Sequence, residues 1–138
     1  MSIILYYNNK RFRLDDYLKE YDQIDWRSRA VQCEGSTIYF YCSDKKRVMY
    51  EGVVIMTPVS NEVMFNDADY SNDGAYTDSL LNSKEGDHHD VMRIQITKRA
   101  EESDEAISRQ QLLEHGFPQY CMAGIVELDK LPELESYI

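Results

Sequence analysis

The sequence predicts an α+β domain: a small, mostly antiparallel barrel or curled sheet with short helices at its periphery. Three observations support that expectation. Two runs rich in β-branched and aromatic residues, at 36–42 and 48–56, flank a polar turn; a strictly alternating run begins at Val91; and short helical stripes lie near both ends of the chain. At 138 residues the chain has the usual size of one domain and should bury roughly two-thirds of its unfolded surface. The expected organisation is one domain over 1–138, with 1–25 as an N-terminal extension and 61–90 as an acidic loop insertion.

Each element has a local reason. The opening Ser2-Ile3-Ile4-Leu5-Tyr6-Tyr7 reads as a short strand. Leu14, Tyr17, Leu18 and Tyr21 fall at i, i+3, i+4 and i+7, the apolar stripe of a two-turn amphipathic helix. The runs 36–42 and 48–56 read as a β-hairpin around Ser43-Asp44-Lys45-Lys46-Arg47. From Asn61 to Asp90, Asn, Asp, Ser and Gly dominate, the composition of a long loop. Met92, Ile94 and Ile96 then alternate with Arg93, Gln95 and Thr97, as in a half-buried antiparallel strand whose polar face looks outward. Ser108 precedes Gln111 at capping-box spacing, and the short helix through His115 should stop at Gly116. Pro132 opens a last helix, with Leu131, Leu134 and Ile138 at helical spacing.

Composition narrows the setting. No apolar run approaches the roughly 20 residues needed to cross a bilayer, and the start lacks the apolar core and cleavage site of a signal peptide, so no membrane partner is expected. Cys33, Cys42 and Cys121 are odd in number and lack CxxC spacing, which suits free thiols in a reducing, cytoplasmic setting. The net charge of −10 opposes nucleic-acid binding on average, because cations supply most of the affinity for phosphate. Residues 1–50, however, hold nine Lys and Arg against seven Asp and Glu, whereas 51–138 hold six against eighteen. An anionic partner should therefore approach through the first third. The acidic remainder suits the alternative function, a protein-interaction module or nucleic-acid mimic docking a basic partner.

Several chemical motifs fail on inspection. Asp69-x-Ser71-x-Asp73-Gly74 copies half an EF-hand loop, but counting twelve residues reaches Leu80 where a bidentate Glu is required. Asp87-His88-His89-Asp90 offers metal-ligand types without a convergent third partner, so a metal-dependent hydrolase built on His88 and His89 is a remote reading and no metal is assigned. His115 at a helix end is read as a helix-dipole partner. The nucleophile elbow and the phosphate-cradling glycine motifs are missing, so no catalytic residue and no cofactor are assigned and the chain is not read as an enzyme.

Aromatic residues stand out instead: eleven Tyr, four Phe and Trp26. Tyr39 and Tyr41 share one strand face, and Ile38, Phe40 and Cys42 share the other, so one set can build a core while the other lines a surface or cleft. Trp26 beside Arg27 and Arg29, with the basic turn Lys45-Lys46-Arg47, could stack a base and hold its phosphates. Ordinary core packing with a solvated basic loop accounts for the same pattern.

Over roughly residues 26–138 the order of features resembles the EVE-type branch of the PUA-like superfamily. Trp26 precedes Gly35-Ser36-Thr37-Ile38-Tyr39-Phe40-Tyr41; a second strand leaves the polar turn; Met92-Arg93-Ile94-Gln95-Ile96 follows; and Leu112-Leu113-Glu114-His115-Gly116, Gln119 and Tyr137-Ile138 take the closing places. Ser36 stands where that family usually has Asp, and Tyr120-Cys121-Met122 replaces a small, Pro-containing segment. The resemblance implies a PUA-like barrel and a module that recognises a modified or unpaired base of DNA or RNA; whether a separate effector protein is a further partner is left open by the sequence. It implies that Trp26 and Tyr41 wall the base, Gln119 bonds its edge and Arg27 or Arg29 meets the backbone; the strand face adds Tyr39 to the base-binding set, and the basic turn adds Lys45, Lys46 and Arg47 as phosphate contacts.

Overall fold

The structure, a computed structural model, describes residues 2–28, 32–60, 90–100, 108–118 and 125–138. Its strands are β1 (Ser2–Tyr7), β2 (Gln23–Ser28), β3 (Thr37–Cys42), β4 (Arg47–Met56), β5 (Asp90–Arg99) and β6 (Ile125–Glu127). Its helices are α1 (Leu14–Glu20), α2 (Arg109–Glu114) and α3 (Pro132–Tyr137), with a 3-10 turn at Leu128–Lys130. The strands hydrogen-bond in the order β2-β5-β4-β3-β1-β6. β1 and β3 run parallel, and every other neighbouring pair is antiparallel.

The α+β class therefore holds, but among the described residues the expected barrel does not close. Closure requires the two edge strands to pair. Here β2 and β6 sit at opposite edges, and helices cover both faces of the sheet, giving layers in place of a ring. A second difference concerns residues 1–25. Far from being an appendage, they supply the inner strand β1, the helix α1 and the first half of the edge strand β2.

The period of two in the strands explains the layers. Ile3, Leu5 and Tyr7 on β1 lie opposite Ile38, Phe40 and Cys42 on β3, and all six enter one core, which α1 covers with Leu14, Tyr17 and Leu18. Ile24 on β2 and Met92, Ile94 and Ile96 on β5 continue that face. Ile4, Tyr41, Val48 and Val126 point the other way, into a second core closed by Leu112 of α2, Phe117, Leu128 and Leu134 of α3. Burial of both faces removes apolar area at about 25 cal/mol per Å², the main stabilising term for such a fold.

Local devices fix the elements. Tyr21, expected on the α1 stripe, is 50 % exposed because the chain turns extended there; Arg99 of β5 donates to the carbonyls of Leu18 and Tyr21, closing the helix end. Gly52 sits at a register shift between β4 and β5. A Cβ there would lie 2.6 Å from Ile94 Cγ2 and 2.7 Å from the Gln95 carbonyl, so only glycine allows the strands to approach. α2 stops where expected, at Gly116 with φ +97°. Ser108 is its N-cap but its hydroxyl makes no capping bond, so the anticipated capping box is not formed.

The polar face of β5 is not simply turned to solvent. Arg93 donates to Asp25 across β2 and β5 through a two-pronged fork, 2.8 Å to Oδ1 and 3.0 Å to Oδ2. The Asp25 side chain is only 2 % exposed.

Candidate functional site

An open concavity lies where the β3–β4 turn meets α2. Lys45, Lys46, Ser108, Arg109, Gln110, Leu113 and Glu114 line a shallow groove of about 680 Å³. Residues more than sixty positions apart are joined there by main-chain bonds: the Arg109 amide donates to the Lys46 carbonyl at 2.8 Å, and Arg47 and Ser108 form an isolated antiparallel bridge. Lys46 takes a left-handed conformation, φ 55°, and its amide donates to the Cys42 carbonyl at 2.8 Å, which tightens the turn and keeps both lysines at its exposed tip.

Beneath the turn lies a polar cluster that sequence reasoning missed. Tyr7 and Tyr50 each donate their hydroxyl to Asp15 Oδ1, at 2.7 and 2.8 Å. Asn9 Nδ2 donates to Asp15 Oδ2 at 2.9 Å, and Lys45 Nζ reaches the same oxygen at 2.9 Å. Burial raises the pKa of the Asp15 carboxyl, but the bonds from Tyr7, Lys45, Tyr50 and Asn9 outweigh it and hold the group below its ordinary value. Burial, followed by the hydrogen bond to Asp15 and its charge, pushes the Tyr7 and Tyr50 phenols well above theirs. The signal was present only as scattered polar residues next to apolar ones. Asp15 itself reads as an ordinary acid in the first turn of a helix.

Among the described members of the predicted base-binding set, Tyr39 and Tyr41 meet the second core, and Trp26 lies apart from them. Trp26, on edge strand β2, packs against the first core, 5.2 Å from Phe40 and 6.2 Å from Phe12, both edge-on. Tyr41 belongs to the second core, 4.8 Å from Tyr6 and 5.2 Å from Phe117, and is 4 % exposed. The two rings therefore pack against different cores. Strand alternation sends Phe40 and Tyr41 to opposite faces, and Trp26 follows Phe40. Tyr39 is half-buried beside the second core; burial, then the Glu51 charge and hydrogen bond, then Glu135, raise its phenol. Burial also raises Tyr41, against the opposing charge of Arg109, which places that guanidinium within electrostatic reach of the Tyr41 hydroxyl.

The predicted phosphate set divides. Lys45 and Lys46 line the groove and Arg47 borders it through its bridge to Ser108. Arg27 is on β2, opposite Val91 and away from the turn. Arg29 and Gln119 lie outside the described residues, as do the Asp69–Gly74 motif, the acidic loop through residue 89 with its histidines, and Cys121. Arg109 and Gln110, which the sequence reading overlooked, complete the groove. His115 stacks on Tyr137 at 3.7 Å, with Nδ1 3.8 Å from a Glu133 oxygen, so it is held by α3 and does more than face a helix end. No cluster of three metal-ligating side chains occurs among the described residues. Cys33 and Cys42 are free thiols. No described helix is long and apolar enough to cross a membrane.

No protein-family model matches the chain, and no curated protein matches it either. Among solved structures, the chain is similar to the X-ray crystal structure of protein PSPTO5229 from Pseudomonas syringae, a structural-genomics target. The TM-score is 0.55 at 11 % sequence identity, over 91 % of this chain and 90 % of that one. The likeness concerns the fold: the two backbones share an arrangement over nearly their whole lengths.

Proposed function

We propose that this chain is a non-enzymatic binding module that takes a nucleic-acid strand by its phosphate backbone in the groove between the β3–β4 turn and α2. One observation supports this above all: in a chain of net charge −10, Lys45, Lys46 and Arg109 converge on a single open groove from two distant segments. Cations gathered on one surface raise the local concentration of an anion and release counterions on binding. Ser108 and Gln110 line the same groove with neutral hydrogen-bonding groups able to meet phosphate or sugar oxygens. The resemblance to EVE-type domains favours the same ligand class. Recognition of a modified or unpaired base belongs to this reading as its finer part, but not through a cleft walled jointly by Trp26 and Tyr41.

The test is a titration of a labelled single-stranded oligonucleotide at low salt, followed by fluorescence anisotropy, with Lys46→Gly as the variant. Glycine suits the left-handed backbone at position 46, so that substitution removes a cation without straining the turn. Binding that weakens several-fold in Lys46→Gly is the expected result. Absence of binding by the unaltered protein at low salt would overturn the reading.

A further inference from the structure

We propose that the anion track continues past the groove onto the β1–α1 loop, where Lys10 and Arg11 meet additional phosphates, so that the ligand is an extended single strand and not a mononucleotide or isolated phosphate. This inference rests on the reading above and deepens it.

The β1–α1 loop and the β3–β4 turn are stitched into one surface. The Ser43 amide donates to the Tyr7 carbonyl at 2.9 Å, and the Asn9 amide donates to Asp44 Oδ2 at 3.1 Å. Beneath them, Asn9 Nδ2 and Lys45 Nζ meet on one oxygen, Asp15 Oδ2, each at 2.9 Å. Asn9 and Lys45 are therefore held side by side, and the residues that follow them, Lys10 and Arg11 on one loop and Lys46 on the other, are exposed.

Two further features make the surface preformed. The loop is closed by bonds from the Arg11 and Phe12 amides to the Asn8 carbonyl, both 3.1 Å, and Phe12 is buried in the first core, 6.2 Å from the Trp26 ring. A loop pinned in this way loses little freedom when an anion binds. Of the acids at this end, Asp44 accepts from Asn9 and Asp15 lies under the surface in its ring of donors, while Glu114 of α2 lines the groove itself and opposes its cations. Seven of the chain's fifteen Lys and Arg fall in three short segments, 10–13, 45–47 and 109, and the fold gathers these at one end of the sheet.

Salt dependence reads the number of phosphates engaged. For a single strand the slope of log affinity against log salt is about −0.7 per neutralised phosphate. Three groove cations predict a slope of about −2, and five cations, with Lys10 and Arg11 included, about −3.5. Anisotropy titrations of a labelled oligothymidylate at several salt concentrations should give the steeper slope for the unaltered protein and the shallower one for Lys10→Ala/Arg11→Ala. Both residues are exposed, so the double variant should melt at the same temperature as the parent. Thymidine monophosphate should compete far less well, per phosphate, than unlabelled oligothymidylate. If the double variant keeps the parental slope and affinity while Lys46→Gly is weakened, the track ends at the groove and this inference fails while the underlying reading stands. Equal competition per phosphate would likewise refute an extended ligand, and loss of all binding by the parent would remove both readings.

Discussion

Two carboxylates in this molecule, the buried Asp25 and the half-buried Asp15, are stabilised differently. Asp25 lies on the sheet and receives both prongs of the Arg93 fork, with the pair almost withdrawn from solvent. Asp15 lies at the end of the sheet, held by two phenols and an amide, with a lysine that is half exposed and also lines the groove. The first pair spends its charge inside the protein. The second fixes a cation at the surface, and the contrast separates a structural ion pair from one that positions a binding group.

The comparison can be broken first at Asp25. Replacing Asp25 with Ala leaves the Arg93 guanidinium buried without its fork, which should cost about 3–5 kcal/mol in urea unfolding. The double variant Asp25→Leu/Arg93→Leu should recover at least half of that, since no uncompensated charge remains. If the single variant melts like the parent, the pair is not the internal anchor described.

At Asp15 the expected effects are smaller. Tyr50→Phe deletes one donor to a carboxylate that keeps three others, and should cost about 1.5 kcal/mol by the same measurement. The remaining prediction concerns acid. The folded pKa of Asp15 lies below its unfolded value of 3.8, so its contribution to stability is complete above that value and is lost as pH falls through the folded pKa. Asp15→Asn should therefore lower stability at neutral pH and flatten the acid limb of the stability profile. An acid limb unchanged from the parent would show that the carboxylate is not held as the geometry indicates.

Much of the fold was legible because it depends on local periodicity. The stripe of α1, the hairpin of β3 and β4, the alternation of β5 and the stop of α2 at Gly116 all follow from spacing within one element. β2 was not legible: Gln23 to Ser28 mixes two charges into a short run, and it becomes a strand by pairing with β5 and burying Asp25 against Arg93. β6 is three residues long and exists as a partner for β1. Of the candidate site, the basic turn was visible as consecutive charges, whereas Arg109 and Asp15 were not: the Lys46 partner of Arg109 lies 63 positions away, and Tyr50, one of the donors to Asp15, lies 35 positions away.

By itself the sequence determined the α+β class, the alternation that splits Tyr41 from Phe40, and the gathering of positive charge in the first third, because each depends on residue type and short-range spacing. Only the tertiary structure decided that the described strands form an open sheet, that Trp26 and Tyr41 serve different cores, and that α2 completes a groove beside Lys45 and Lys46. Those outcomes turn on which strands meet and which loops are tied together, and pairing across long separations is settled by burial and hydrogen bonding summed over the whole chain.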